Sequence, residues 1–485
     1  MTQSLKQQTK KGLVWSSIEN FSVKGVSFVI TIVMARLLTP EHYGLIGMLT
    51  IFMAVAQSLI DSGFSQALIR KIDRTEVDNS TVFYFNIAVG FVLYLLLFVT
   101  APLVAKFYDT PQLCPIMRVL CLSVIINSFA VVQRALLTIQ IDFKTQAKAS
   151  LIASITSGVI GIGMAYKGYG VWAIVGQQLT NYGFIVILLW IFSKWRPRWA
   201  YSWQSFRELF AFGSKMLAAG LLDTVYNNIY LIAIGKFYAA GPLGHYTRAH
   251  QFATFPSANL TGIMQRVTYP ILCHIQNDDM RLANTYRRFL KASAFIIFPL
   301  MCGLAAISEP LVLVVLGEKW HQCAVLLQIL CFVMMWYPIH AINLNLLQVK
   351  GRSDLFLRLE IIKKIIGVSI LIITLPYGLV VMCYAQIISS ILCLGINTYY
   401  TGKLINVGFA RQMLDLLPTL LLSLTMFALT LFICNLFTNL WIKLAVGIPA
   451  GMAVFIIVSL LLHFPEWKEL QIFMPKKHKQ TNDMQ

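Results

Sequence analysis

Charge is scarce in this sequence: only 12% of its 485 residues are Asp, Glu, Lys or Arg, about half the share an ordinary soluble domain carries. Catalytic signatures are missing too. There is no GxSxG, no HExxH, no P-loop and no pair of carboxylates at a useful spacing, which removes the common hydrolase, zinc-protease and nucleotide-driven classes. The nine cysteines form no CxxC and no Cys/His metal pattern, so they read as small core residues and no metal or other cofactor is expected. The N-terminal MTQSLKQQTKKGLVW lacks a short apolar core followed by a small-residue cleavage site, and no removable signal peptide is expected.

What the chain has in abundance is apolar sequence. Hydrophobic residues make up 58% and the mean hydropathy is +0.70. The apolar runs are continuous and about 20 residues long, the length of a bilayer-spanning helix, whereas barrel strands would show short alternating patterns. An all-α polytopic membrane protein follows. Runs of spanning length fall near 13–37, 42–68, 81–107, 112–138, 149–166, 170–192, 208–237, 242–272, 289–316, 323–349, 355–376, 378–401, 412–434 and 440–463, which predicts about fourteen transmembrane helices.

The distribution of basic residues tests that count, because Lys and Arg concentrate in cytoplasmic connections. Lys6, Lys10 and Lys11 precede the first run; every second connection is then basic, through Arg70/Lys71/Arg74, Arg134/Lys144/Lys148, Lys194/Arg196/Arg198/Arg207, Arg281/Arg287/Arg288/Lys291, Lys350/Arg352/Arg358 and Lys403/Arg411, to Lys468/Lys476/Lys477/Lys479 in the tail. The intervening connections, such as TPEH at 39–42 and PYG at 376–378, hold almost none. The alternation places both termini in the cytoplasm. Much of the net charge of +19 is therefore orientation, with no basic soluble domain to suggest nucleic acid.

The two halves also resemble each other weakly. ARLLTPEHYG at 35–44 and GKFYAAGPLGHY at 235–246 lie about 200 residues apart, and the stretch 114–143 shadows 323–352. The expected organisation is a cytoplasmic N-terminus (1–12), a six-helix lobe (13–192), a cytoplasmic linker (193–207), a second six-helix lobe (208–401), a C-terminal helix pair (412–463) and a basic cytoplasmic tail (464–485). Repeats of this kind place a substrate path between them.

Several predicted spans carry polar stripes. Asn20, Lys24, Ser27 and Thr31 recur on one face of the first, as helical periodicity requires. Lys215, Asp223, Asn227 and Tyr230 mark the seventh, and Thr247, Gln251, Thr254, Thr261 and Gln265 the eighth. A charge in hydrocarbon costs about 3 kcal/mol even on the lenient insertion scale, so Lys24, Lys215, Asp223, Arg248 and Arg266 need a polar cavity or a partner. Cavity lining and internal pairing stay open for Lys24 and Lys215; an ion pair is the leading reading for Asp223 and an outer-edge anchor for Arg36. Lys363 and Lys364 either snorkel to the interface or form a basic wall. His250 and His340 read as packed residues before proton sites. Asp61, just ahead of the Arg70/Lys71/Arg74 cluster, is either an inner-gate residue or a helix-end marker.

The motifs KGLVWSS (11–17), MARLLTPEHYGLIGM (34–48), DSGFSQALIRK (61–71), RALLTIQIDFK (134–144), YTRAHQF (246–252), RVTYPILCHIQND (266–278) and VLGEKWHQCAVLLQIL (315–330) resemble the Wzx-type polysaccharide flippases. Within the multidrug/oligosaccharidyl-lipid/polysaccharide exporter superfamily, the likeness is to colanic-acid-type translocases over about residues 5–465. The resemblance implies a non-enzymatic bacterial inner-membrane protein that moves an undecaprenyl-diphosphate-linked oligosaccharide to the periplasmic leaflet, through two six-helix lobes working by alternating access. Membrane lipids and the periplasmic polymerase machinery are the further partners expected. A basic interior suits a diphosphate, which makes Asn20, Lys24, Ser27, Thr31, Lys215, Asn227, Arg248, Gln251 and Arg266 the cavity candidates and Arg36, Asp61, Asp223, Lys363 and Lys364 the gate or ion-pair candidates. A cation-coupled multidrug exporter or a lipid II flippase of the same superfamily is the alternative, and the coupling ion, proton or sodium, stays open.

Overall fold

A computed structural model describes residues 22–61 and 63–469, with the side chains at 212, 215, 216, 219, 468 and 469 outside the description. Asn20, the expected N-terminal segment 1–12, the side chain of Lys215 and the tail beyond 469 therefore lie outside the described residues. All regular structure among the described residues is helical. The helices are α1 (described over 22–37), α2 (Pro40–Asp61), α3 (Phe64–Arg70), α4 (Glu76–Phe107), α5 (Leu113–Leu120), α6 (Leu122–Ser128), α7 (Val131–Ile139), α8 (Phe143–Tyr166), α9 (Val171–Phe192) and α10 (Trp203–Tyr238), then α11 (Ala240–His274), α12 (Asp279–Ala306), α13 (Ser308–Leu316), α14 (His321–Met334), α15 (Tyr337–Val349), α16 (Ser353–Thr374), α17 (Leu379–Ile405), α18 (Phe409–Asn435), α19 (Leu440–Leu461) and the short α20 (Glu466–Glu469).

Ten stretches of the described residues are long and apolar enough to cross a membrane. Three are composite: Pro40–Arg70, Leu113–Ile139 and Glu318–Val349 are each assembled from shorter helices. Four expected spans fall outside these ten. The run 13–37 is described only in part, while α10, α11 and α16, of 36, 35 and 22 residues, are long enough but carry the polar and charged stripes noted above.

Contacts divide the chain inside α11, into a unit ending at Thr247 and a unit beginning at Arg248, away from the 193–207 linker that the sequence pattern marks. In the first unit α2 and α10 pack along each other. Ser58 Oγ and Thr224 Oγ1 are 2.9 Å apart across the pair. Near Gly63 the two backbones approach so closely that a Cβ there would lie 2.6 Å from the carbonyl oxygen of Gly213. Gly63 has φ +68°, which only glycine adopts without strain. That residue ends the α2 direction and starts α3, whose Phe64, Ala67 and Leu68 are buried against Val82, Phe83, Val132, Ala135 and Leu209.

The extended segment between α9 and α10 is strapped to the first turns of α4. Arg198 N–H donates to Ser80 Oγ at 3.0 Å, Ser202 N–H to Thr81 Oγ1 at 3.0 Å, and Trp195 Nε1–H to Glu76 Oε2 at 2.7 Å. These bonds satisfy side chains at a helix start that is otherwise buried. Thr75 and Asp78 form a reciprocal capping box there, which occupies two of the donors a helix N-terminus leaves unpaired.

In the second unit, α12 packs on α14, α15, α17, α18 and α19. Its buried face includes Tyr286, Phe289, Phe295 and Phe298. All nine cysteines are free; six of them, at 121, 302, 323, 331, 383 and 434, are buried, as small core residues should be.

Candidate functional site

In the first unit, charge concentrates around the end of α2. Asp61 shares a hydrogen bond with Gln57, one turn back, and sits within electrostatic reach of Arg134 on α7. Tyr182 of α9 feels both charges. Asp61 of α2, Arg134 of α7 and Tyr182 of α9 thus lie within electrostatic reach of one another, with Asp61 at an exposed position. A charge placed there alone would cost several kcal/mol, and a nearby opposite charge offsets part of that.

Arg134 has a role beyond the basic connection it helps to mark. Near the end of the span Leu113–Ile139, it lies within α7, as the run 112–138 implies. The signal was available, because VVQRALLTI embeds Arg134 in an apolar run. Tyr182 and Gln57 carried no sequence signal of their own.

Below this cluster a second group closes the gap between α3 and α4. Lys71 Nζ lies 3.2 Å from Asp78 Oδ1 and 2.9 Å from Glu208 Oε2. Burial works against the Lys71 charge, but the hydrogen bonds to Glu208 and Asp78 outweigh it and hold the ammonium above its ordinary value. A residue read as an orientation marker therefore also ties α3 to the first turns of α4 and α10.

On α1, Lys24 and Ser27 are exposed and Thr31 is half-buried. Ser27 Oγ is 3.1 Å from Ser154 Oγ of α8, so part of that polar stripe faces protein. Arg36, Asp223 and Asn227 are exposed.

In the second unit Arg248 donates to the side-chain oxygen of Gln251, joining two residues of the α11 stripe, and Arg266, further along α11, is exposed. Lys363 pairs with Glu360 on its own helix α16, while Lys364 is half-buried. His340 is held by neighbours on α17: Nε2 lies 3.0 Å from Ser390 Oγ and Nδ1 3.1 Å from Asn397 Nδ2, the packed and bonded arrangement expected for it. Arg287 and Lys291, read as a cytoplasmic connection, belong to α12. Arg287 forms a two-pronged pair with Asp415 of α18, at 2.6 and 2.7 Å, and Lys291 adds a third contact at 3.6 Å. No group of three or more His, Cys, Asp or Glu side chains that could hold a metal occurs among the described residues.

The described polar groups can bind, orient and pair charges.

The family described as "Polysaccharide biosynthesis protein" matches residues 33–325. Teichuronic acid biosynthesis protein TuaB of Bacillus subtilis (strain 168) is 26% identical over 473 residues, which cover 96% of this chain and 98% of that one. Lipopolysaccharide biosynthesis protein WzxC of Escherichia coli (strain K12) is 25% identical over 375 residues, 76% of each chain. Among solved structures, lipid II flippase MurJ in an inward closed conformation superposes with a TM-score of 0.76 at 15% identity, over 93% of this chain and 99% of its own. An inward-facing multidrug resistance MATE family transporter reaches 0.62 at 16% identity, over 82% and 100%. The last two show a shared fold of helices.

Proposed function

The chain belongs to the polysaccharide biosynthesis protein family, and from that premise we propose that it flips undecaprenyl-diphosphate-linked oligosaccharide units across the bacterial inner membrane. It is a multi-pass membrane protein of the transporter type. The finer reading, with about fourteen spans, both termini cytoplasmic and alternating access between two lobes, agrees with the alternation of basic connections and with the fold shared with MurJ.

The observation that carries the proposal is the electrostatic grouping of Asp61, Arg134 and Tyr182 from three helices of the first unit. A diphosphate entering beside it would compete with Asp61 for Arg134, since a guanidinium holds two phosphate oxygens at once. Substrate entry then frees the Asp61 carboxylate, and departure lets the pair re-form. Lys24, Ser27 and Thr31 on α1 of the same unit supply further donors for the phosphates and sugar hydroxyls. The polyprenyl chain stays in lipid throughout, so only the head group needs this polar lining.

The test is deletion of the gene followed by analysis of lipid-linked intermediates. Repeat units should accumulate on the cytoplasmic leaflet and polymer should be lost. An unchanged lipid-linked pool together with new drug sensitivity would replace this reading with multidrug export.

A further inference from the structure

Two cavities in the second unit are lined by neighbouring residues of the same helices. The larger, about 440 Å³, is a groove between α12, α18 and α19, lined almost wholly by apolar side chains and by Gly303, Gly447 and Gly451. Its rim is open: Leu300, Ile448 and Met452 are 43%, 45% and 60% exposed. The smaller, about 280 Å³, lies where α18 ends and α19 begins, and has Glu309, His321, Gln328, Asn435 and Lys443 among the apolar residues of its walls. The two are contiguous along the chain. Ile307 lines the groove while Ala306 and Ser308 line the pocket, and Thr430 lines the groove while Leu431 lines the pocket.

The dimensions match one leaflet. From Ile296 to Ile307 the helical path rises about 16 Å at 1.5 Å per residue, and half of a hydrocarbon core is about 15 Å. The Arg287–Asp415 pair lies toward the other end of α12 and α18. From Arg287 to Ala306 the path is about 29 Å, so the two polar groups stand roughly one bilayer thickness apart.

The junction of groove and pocket carries an unanswered polar group. Thr430 is 1% exposed, and its hydroxyl is buried with no hydrogen-bond partner among the described residues. A buried hydroxyl in that state costs free energy until a partner arrives. In the pocket, Glu309 Oε1 is 3.9 Å from His321 Nε2 and Oε2 is 3.9 Å from Lys443 Nζ. Both distances exceed the 2.7–2.9 Å or so of a made charged hydrogen bond. One carboxylate and one ammonium stand there loosely paired, a neutral sum that suits a zwitterion better than an anion.

We propose that this composite site binds one glycerophospholipid with an amine-bearing zwitterionic head group. An acyl chain lies in the groove, and its ester carbonyl accepts a hydrogen bond from Thr430 Oγ1. The head-group ammonium meets Glu309 and the phosphate meets Lys443. A polyprenyl phosphate fits less well, because it offers Thr430 no ester carbonyl and Glu309 no ammonium. The site belongs to the second unit alone and stands whether or not the chain flips oligosaccharides.

Native mass spectrometry tests it without any transport assay. The full chain is reconstituted with equal amounts of phosphatidylethanolamine, phosphatidylglycerol, phosphatidylcholine and undecaprenyl phosphate, and the retained lipid is identified. One phosphatidylethanolamine should survive release from the membrane. Thr430→Val and Glu309→Gln, which keep the side-chain shape, should each lower its retention about tenfold, the loss expected for one buried hydrogen bond or charge contact. Gly303→Leu should do the same by filling the groove, where a new Cβ meets only Met426 Cε at 3.7 Å. Melting temperatures identify any variant that fails to fold, and the remaining variants then decide. Equal retention of phosphatidylglycerol or phosphatidylcholine, preference for undecaprenyl phosphate, or retention unchanged in the folded variants would overturn the proposal.

Discussion

A Cβ on Gly244 would run into the carbonyl oxygen of Pro40. Two hundred residues earlier in the chain, a Cβ on Gly44 would make the matching collision with the carbonyl oxygen of Ala240. The first turns of α2 and α11 thus cross at backbone contact in a reciprocal arrangement, each supplying a glycine to the other's N-terminal residue. The weak likeness of 35–44 to 235–246 has a physical basis here. Both segments must leave the same gap.

Valine at Gly44 or Gly244 should therefore open the crossing. Overpacking of a tight contact costs about 1–3 kcal/mol, and here the obstacle is backbone, which yields little. Each variant should melt several degrees lower in detergent, and an unchanged melting temperature would show that the crossing can relax.

Arg287→Leu should be among the most damaging changes outside the proposed site. It strips a two-pronged partner from Asp415, whose side chain is 7% exposed, and leaves only Lys291 at 3.6 Å. Removing one member of a buried pair costs about 3–5 kcal/mol, whereas replacing both by apolar groups is often neutral. The double variant Arg287→Leu/Asp415→Leu should recover much of the loss in thermal stability. A double variant as unstable as the single would mean that Asp415 has another role.

Lys71→Met should loosen the joint between α3, α4 and α10 by about 1–3 kcal/mol, the range for hydrogen bonds to charged groups. The sign of the pH dependence follows from the raised Lys71 value. Its contribution is fully present below the ordinary lysine value of 10.5 and is lost only as pH climbs through the higher folded value. The stability gap between wild type and variant should thus be the same at about pH 6 and about pH 8 and narrow only under strong alkali.

Arg134→Gln and Asp61→Asn separate transport from folding. If Arg134 receives the diphosphate, Arg134→Gln should cut export of repeat units about tenfold or more at normal protein level, in line with one lost charged contact. Asp61→Asn, which removes the competitor but keeps the acceptor shape, should leave binding intact and slow the cycle at release. Quantifying polymer and lipid-linked intermediates in complemented deletion strains distinguishes the two. Equal loss of protein in both would assign the pair to folding alone.

The stripes on α1 and α11 were legible because helical periodicity is a local property: Ser27 and Thr31, or Arg248 and Gln251, share a face wherever the helix is placed. The partners of Arg134, Arg287 and Lys291 were not legible for the opposite reason. Charge counting along a chain treats every Lys and Arg near an apolar run as interfacial, and it cannot register a carboxylate brought alongside from a distant segment. Asp415, more than one hundred residues from Arg287, gave no sign of that role.

Composition, run length and the spacing of basic residues determined that this chain is helical and membrane-embedded, because burying apolar runs and satisfying each backbone group inside its own helix are local demands. Tertiary structure alone decided which charges neutralise one another, which glycines let backbones touch, and where a buried hydroxyl such as Thr430 goes without a partner. Those outcomes depend on atoms brought within a few ångströms from distant parts of the sequence.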